Sequence, residues 1–185
     1  MAEPEKKIYI KFFVDVNPNS IRILMTNFEN KLREGVNRVV ILISSPGGDV
    51  FSGLSAYNFL KGSPIFVETH NFGSIDSIAA TLFCAGKKRF SVPHARFLLH
   101  GVSFGFPQGA RLEEMQLQEV VKSLKIDTEN IAGVIAANTG KSEEEVMKAI
   151  RERTTLNPEQ ALEFGLIHEI KEPLFEKGAE IISIQ

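Results

Sequence analysis

The run Val39-Val40-Ile41-Leu42-Ile43 constrains this chain more than any other feature. It has no polar face to turn toward water, and four of its five residues are β-branched. Such a run is stable as a strand covered on both faces, the situation of a central strand in a parallel sheet. It breaks at Ser45-Pro46-Gly47-Gly48, and the pattern after the break predicts a helix from about Val50 to Leu60. A strand that feeds a helix through a tight glycine turn is the start of a βαβ unit. The arrangement repeats: Ile65 to Thr69 reads as a strand, a turn with Gly73 follows, and an apolar helix begins near Ser77. The fold class expected from this alternation is α/β.

The remaining segments fit the same class. Ile8 to Val14 reads as a first strand, and Pro18-Asn19-Ser20 as a turn and helix start. Ile21, Leu24, Met25, Phe28 and Leu32 recur at helical spacing, and Gly35 fits the end of that helix. Lys88 to Val92 and Arg96 to His100 read as two strands, and the glycine- and phenylalanine-rich stretch 101–109 as a surface loop. A polar helix is predicted from Arg111 to Asn138, ended by Thr139-Gly140. It exceeds a normal globular helix and is expected to project and pack against a neighbour. Ser142 with Glu145 forms a capping box for the next helix. Asn157-Pro158 opens a short helix ending at Phe164-Gly165, and Leu166 to Ile170 closes as a strand. No linker interrupts the pattern, so one domain is expected over residues 1–185.

Composition narrows the function classes. The formal net charge is −2 and the basic residues are scattered, Lys87-Lys88-Arg89 being read as solvated surface charge. No basic stripe suggests a nucleic-acid partner. The single cysteine, Cys84, lies in an apolar run and reads as a small buried hydrophobe. The segment Met1 to Lys7 lacks the apolar core of a signal peptide, and no apolar stretch reaches the ~20 residues that span a bilayer. The expectation is a cytoplasmic chain with no membrane partner.

Two places can carry chemistry, each combining a strand end, a glycine turn and a helix start: Gly47-Gly48 and Gly73 to Ser77. Ligands of open α/β sheets bind at the carboxyl ends of strands, so both turns are expected on one sheet edge. A serine at a helix start feels the positive end of the helix dipole, and the next amide is free to face a developing oxyanion. Ser77 with the Ile78 and Gly48 amides can therefore supply a nucleophile and two oxyanion donors. The plainer reading of Ser77 is a helix N-cap. His100 closes a strand downstream and can serve as the base that a nucleophilic serine needs. The other histidines, His70, His94 and His168, show no metal-ligand spacing, and no metal or cofactor is expected.

These residues resemble a known family. Ser45-Pro46-Gly47-Gly48 is similar to the SPGG turn of the Clp protease proteolytic subunits. Gly73-Ser74-Ile75-Asp76-Ser77 sits where that family has a G-x-x-x-S nucleophile turn. Ala85-Gly86-Lys87-Lys88-Arg89-Phe90-Ser91-Val92-Pro93 with Phe97-Leu98-Leu99-His100 resembles its AG…KRFSLP…IH segment. Thr139-Gly140 and Gln160 to Ile167 match two further segments in the right order. The resemblance implies a crotonase-like α/β fold of stacked βαβ units with a projecting long helix. It implies Ser77 as nucleophile, His100 as general base, and the Gly48 and Ile78 amides as oxyanion hole. It implies a polypeptide substrate, a homo-oligomer of rings or stacked rings, and an ATP-driven AAA+ unfoldase as partner. No phosphate-binding G-x-x-x-x-G-K-[ST] motif occurs in this chain, so nucleotide would belong to that partner.

The sequence departs from the family at one chemical position. Counting back from Gln160-Ala161, the triad aspartate falls on Arg153. Arginine cannot hold the imidazole tautomer and disfavours imidazolium. Three explanations stay open: a Ser–His dyad with an amide or water orienting His100, substitution by Glu152, or an inactive ring subunit. A crotonase-type acyl-CoA enzyme is a further alternative. Asp76, where the family has a small residue, is expected to cap the helix after it.

Overall fold

The structure, a computed structural model, describes residues 5–185, so the first part of the Met1–Lys7 reading lies outside the described residues. Strand β2 (Arg38–Ser45) contains the five-residue apolar run, and that run is buried throughout. Its neighbours β1 (Lys7–Phe12) and β3 (Phe66–Asp76) both pair with it in parallel. Burial on both faces is what the unbroken run requires. The connections are helices α1 (Pro18–Arg33) and α2 (Val50–Lys61).

The sheet continues on both sides, in the order β6-β5-β3-β2-β1-β8. Strand β4 (Lys88–Ser91) pairs with the first half of β3, and β5 (Arg96–Leu98) with its second half. The short strands β6 (Thr155–Leu156) and β7 (Glu169–Ile170) pair with β5 and β4 respectively. Strand β8 (Ile181–Ile184) adds in parallel to the free edge of β1. The closing strand expected over Leu166–Ile170 is thus only two residues long, and the outer edge is closed by β8, which the sequence reading missed. Only Ile184 of β8 is buried, so its apolar signal is weak.

One face of the sheet carries the main core. Ile21, Leu24 and Phe28 of α1 and Ala56 and Leu60 of α2 meet Ile8, Ile10, Val39, Ile41 and Ile43 there. The opposite face holds a smaller cluster, Tyr9, Val40 and Leu42, covered by Phe72, Leu174 and Ala179. The long helix α4 (Glu114–Thr139) divides the same way. Its C-terminal half buries Ile131, Ala132, Ile135 and Ala136, whereas Met115, Leu117, Val121 and Ile126 in its N-terminal half stay exposed. The helix projects, as expected. Gly140 ends it in the left-handed conformation, which glycine adopts at no steric penalty. Helices α5 (Glu143–Arg151) and α6 (Pro158–Phe164) each start with a reciprocal capping box, built on Ser142 and Asn157.

Two expectations are corrected. Gly73 does not sit in a turn: β3 runs through it to Asp76. Between Ile43↔Asn71 and Ser45↔Ile75, β3 contains two extra residues relative to β2. The buried Asn71 side chain stabilises that irregularity, accepting from the Gly73 amide at 2.9 Å and donating to the Arg96 carbonyl at 2.9 Å. Arg89 is not solvated: it is 4% exposed and donates to the carbonyls of Gly86, Asn138, Gly165 and Leu166. The guanidinium thus satisfies carbonyls at the ends of α4 and α6, groups that helices leave unpaired. Cys84 is fully buried, and burial pushes its thiol up to about 11.

Candidate active site

The extra length of β3 carries the chain past the end of β2, so that Ser77 emerges beside the turn that follows β2. There Ser77 takes a φ of +59°, in the left-handed region that disfavours every side chain except glycine's hydrogen. Helix α3 (Ala79–Phe83) begins two residues later and has no side-chain cap. The N-cap reading of Ser77 therefore fails. The Ser77 amide instead donates to the Leu98 carbonyl at 2.8 Å, and its carbonyl accepts from Ala80 at 3.0 Å. The serine side chain is held at a strained bend between a strand and a short helix, with its hydroxyl engaged by no other group among the described residues.

The Gly47-Gly48 turn sits directly against this bend, as the sheet-edge argument expects. A Cβ on Gly47 would lie 2.7 Å from both the Asp76 carbonyl and Ser77 Cβ, and 3.4 Å from the Ile78 nitrogen. A Cβ on Gly48 would lie 2.2 Å from the Val16 carbonyl. Both glycines have positive φ, 91° and 145°. The two turns therefore fit only because Gly47 and Gly48 lack side chains. Val16 donates to Gly47 and accepts from Asp49, which leaves the Gly48 amide outside that ladder. Neither the Gly48 nor the Ile78 amide donates to a backbone acceptor among the described residues. Gly53, inside α2, holds Ile78 from beneath: a Cβ there would lie 2.3 Å from Ile78 Cγ1. An interior helix glycine was its only mark in the sequence.

His100 lies two residues beyond Leu98, the acceptor for the Ser77 amide, so strand pairing brings the serine and histidine segments together. Its Nδ1 is 2.8 Å from the Gly101 carbonyl oxygen. A carbonyl only accepts, so Nδ1 carries a proton, and in the neutral imidazole the lone pair is then on Nε2. No hydrogen bond links the ring to Ser77 Oγ among the described residues. The Gly101 carbonyl went unnoticed in the sequence because a backbone acceptor has no residue signature.

Asp76 does not cap α3. It is 7% exposed; one oxygen accepts from Arg96 at 2.6 Å and the other from Ser74 at 2.6 Å. Arg96 also donates to Ser74 Oγ at 3.0 Å, so β3 and β5 are tied together one residue before Ser77. Alternation along the strand turns this carboxylate away from the serine. A cavity of about 370 Å³ opens along this edge, lined in part by Ser45, Pro46, Asp76 and Arg96.

Arg153 and Glu152, the two residues weighed at the acid position that the family resemblance implies, lie between α5 and β6. Strands β5 and β6 run antiparallel with Phe97↔Leu156 and Leu98↔Thr155, and Leu99 donates to the Thr154 carbonyl at 2.9 Å. The ladder ends there: the Arg153 amide donates to the Ile150 carbonyl at 3.2 Å, in the turn that closes α5. Arg153 has a φ of +54° and is exposed. Glu152 faces Lys148 on its own helix at 4.0 Å rather than His100.

Two other histidines serve structure. His70 is 2% exposed, its Nε2 lies 2.8 Å from the Lys171 carbonyl, and burial pushes its pKa down to about 4. His168 Nδ1 accepts from the Arg89 amide, and burial lowers its pKa. Among the described residues no group of three or more His, Cys, Asp or Glu side chains is placed to hold a metal, and no helix is long and apolar enough to cross a membrane.

Comparison with known proteins gives the same family as the motifs. Residues 22–173 match the family model described as Clp protease. The ATP-dependent Clp protease proteolytic subunit 2 of Corynebacterium diphtheriae is 29% identical over 173 residues, covering 91% of this chain and 83% of the relative. Its counterpart in Corynebacterium efficiens is 29% identical over 171 residues, covering 90% and 82%. With the stacked βαβ fold and the ordered motifs, the match shows that the chain belongs to the Clp protease family.

Proposed function

We propose that this chain is a serine peptidase that cleaves polypeptides by a Ser77–His100 dyad. The observation that carries the reading is the Ser77 bend at φ +59°, seated on the Gly47-Gly48 turn beside two amides with no other acceptor. Backbone strain persists where the surroundings over-determine it, and nucleophile turns are such places.

The chemistry follows from the tautomer. Nε2 of His100 takes the Ser77 hydroxyl proton as Oγ bonds to the scissile carbonyl carbon. Negative charge moves to the carbonyl oxygen, where the Gly48 and Ile78 amides receive it. The imidazolium then gives its proton to the leaving amine as the C–N bond breaks, leaving an acyl-serine. Water attacks that ester, His100 takes its proton, and Ser77 regains it as the acid product departs. Catalytic hydrogen bonds are commonly long before substrate arrives, so the unformed Ser77–His100 contact agrees with this scheme.

In a triad a carboxylate orients the base, and replacing it by an amide lowers turnover about 10⁴-fold. The Gly101 carbonyl supplies the orientation here but no negative charge, so slow turnover is expected. The exposed apolar half of α4 supports assembly into rings or stacked rings, whose chamber an ATP-driven unfoldase would feed. The relatives' description as ATP-dependent agrees with such a partner.

Arg153, where the family resemblance implies an aspartate, favours a second reading, a structural ring subunit without turnover. Labelling with a fluorophosphonate, read by intact mass, separates the two. A single adduct that disappears in Ser77→Ala and His100→Ala is the expected result. An intact oligomer that takes no adduct overturns the peptidase reading in favour of the structural one.

A further inference from the structure

The loop after His100 and helices α4 and α5 line an open cavity of about 780 Å³. Its charged lining is unbalanced: Lys125, Arg151 and Arg153 face one carboxylate, Glu129. None of the three cations is ion-paired among the described residues, although nine ion pairs are formed elsewhere on the chain. Unpaired cations gathered around a concave surface focus positive potential there and attract anions.

The rest of the wall selects among anions. Leu124, Met147 and Ile150 are aliphatic, and no aromatic ring lines the cavity on which a base could stack. The combination suits an acidic residue within an apolar peptide better than a nucleotide. The position suits a substrate. Gly101, whose carbonyl lies 2.8 Å from His100 Nδ1, and Arg153 are both part of the wall.

We infer that this cavity is a substrate subsite for a peptide carboxylate, held by the Arg153 guanidinium with Arg151 and Lys125 beside it. The inference deepens the peptidase reading and rests on it for the nature of the bound chain.

The carboxylate can belong to an Asp or Glu side chain or to a peptide C-terminus, and three labelled peptides of one apolar sequence distinguish them. The first has a central Gln and a C-terminal amide, the second a central Glu and the amide, the third a central Gln and a free carboxylate. Binding is read by fluorescence anisotropy on full-length Ser77→Ala protein, which needs no turnover. At least one acid-bearing peptide is expected to bind about tenfold more tightly than the neutral one, the scale of a partly desolvated charge-assisted contact. The preference shrinks at ~1 M salt, where the Debye length falls to about 3 Å. It is lost in Arg153→Gln and weakened in Arg151→Gln. Equal affinities, failure of all three to bind, or a preference that survives Arg153→Gln each overturn the subsite. Fluorophosphonate labelling of the unmutated chain reports separately on the peptidase reading, so the two ideas fail independently.

Discussion

Replacing Ser77 by alanine and by glycine separates the chemistry of the nucleophile from the strain at its backbone. Both changes remove Oγ, and both are expected to abolish labelling. They differ in Cβ. At φ +59° a Cβ is held in the left-handed region, at a penalty of about 1–2 kcal/mol that glycine does not carry. Glycine in turn loosens the unfolded chain, which offsets roughly 0.4–1 kcal/mol. Ser77→Gly should therefore be more stable than Ser77→Ala by about 0.5–1 kcal/mol. For a chain of this length one kcal/mol moves Tm by roughly 2–4 °C, so the glycine variant should melt about 1–4 °C higher. Thermal unfolding at matched protein concentration and matched oligomeric state measures the difference. A glycine variant that melts at or below the alanine variant would refute the reasoning. It would mean that the Leu98 hydrogen bond and the Gly47 contact do not impose the left-handed backbone on residue 77.

Arg153→Asp puts a residue type more tolerant of positive φ, and a carboxylate, where the family resemblance implies the triad acid. Turnover of a neutral peptide should rise at least about tenfold, a fraction of the ~10⁴ a triad acid contributes, and an unchanged kcat would argue against residue 153 as the acid position. His70 gives a pH dependence. Its folded pKa of about 4 lies below the unfolded value near 6.5, so the unfolded chain binds the extra proton between those values. Stability is unaffected above pH 6.5 and falls as pH drops through that window, by up to about 3 kcal/mol below pH 4. Unfolding of His70→Gln, which keeps a donor for Lys171, should show a flatter pH profile, and an unaltered slope would count against burial as the cause. Arg89→Leu leaves the carbonyls of Gly86, Asn138, Gly165 and Leu166 without their donor. Denaturant titration should register a loss of about 3–5 kcal/mol, and a loss under ~1 kcal/mol would show that these carbonyls find other partners.

Local sequence determined the frame of this protein wherever one segment could meet its energetic needs by itself. The apolar run at 39–43 has no stable place except a doubly covered strand, and β2 is that strand. Asn157 and Ser142 cap helices through residues three positions away, so both starts were legible. The Gly47-Gly48 and Ser77 turns were legible as neighbours because parallel strands put their carboxyl ends on one edge. Family motifs added roles for Ser77 and His100 that spacing alone did not supply.

What the tertiary structure alone decided were the partners of groups distant in sequence. Arg89 reads as one of three adjacent surface cations, yet its neighbours are helix ends roughly fifty to eighty residues away. Asp76 reads as a helix cap, but Arg96 on the neighbouring strand takes its carboxylate first, because a nearby cation outcompetes backbone amides for a buried acid. The β3 irregularity exists because the folded sheet must accommodate two residues that β2 does not match, and it turns Gly73 from a turn into strand. The sequence by itself could say that a serine, a histidine and two glycines were present in the right order. That Ser77 is strained and that the Gly47-Gly48 turn closes against it were decided by packing, since both depend on contacts no single segment contains.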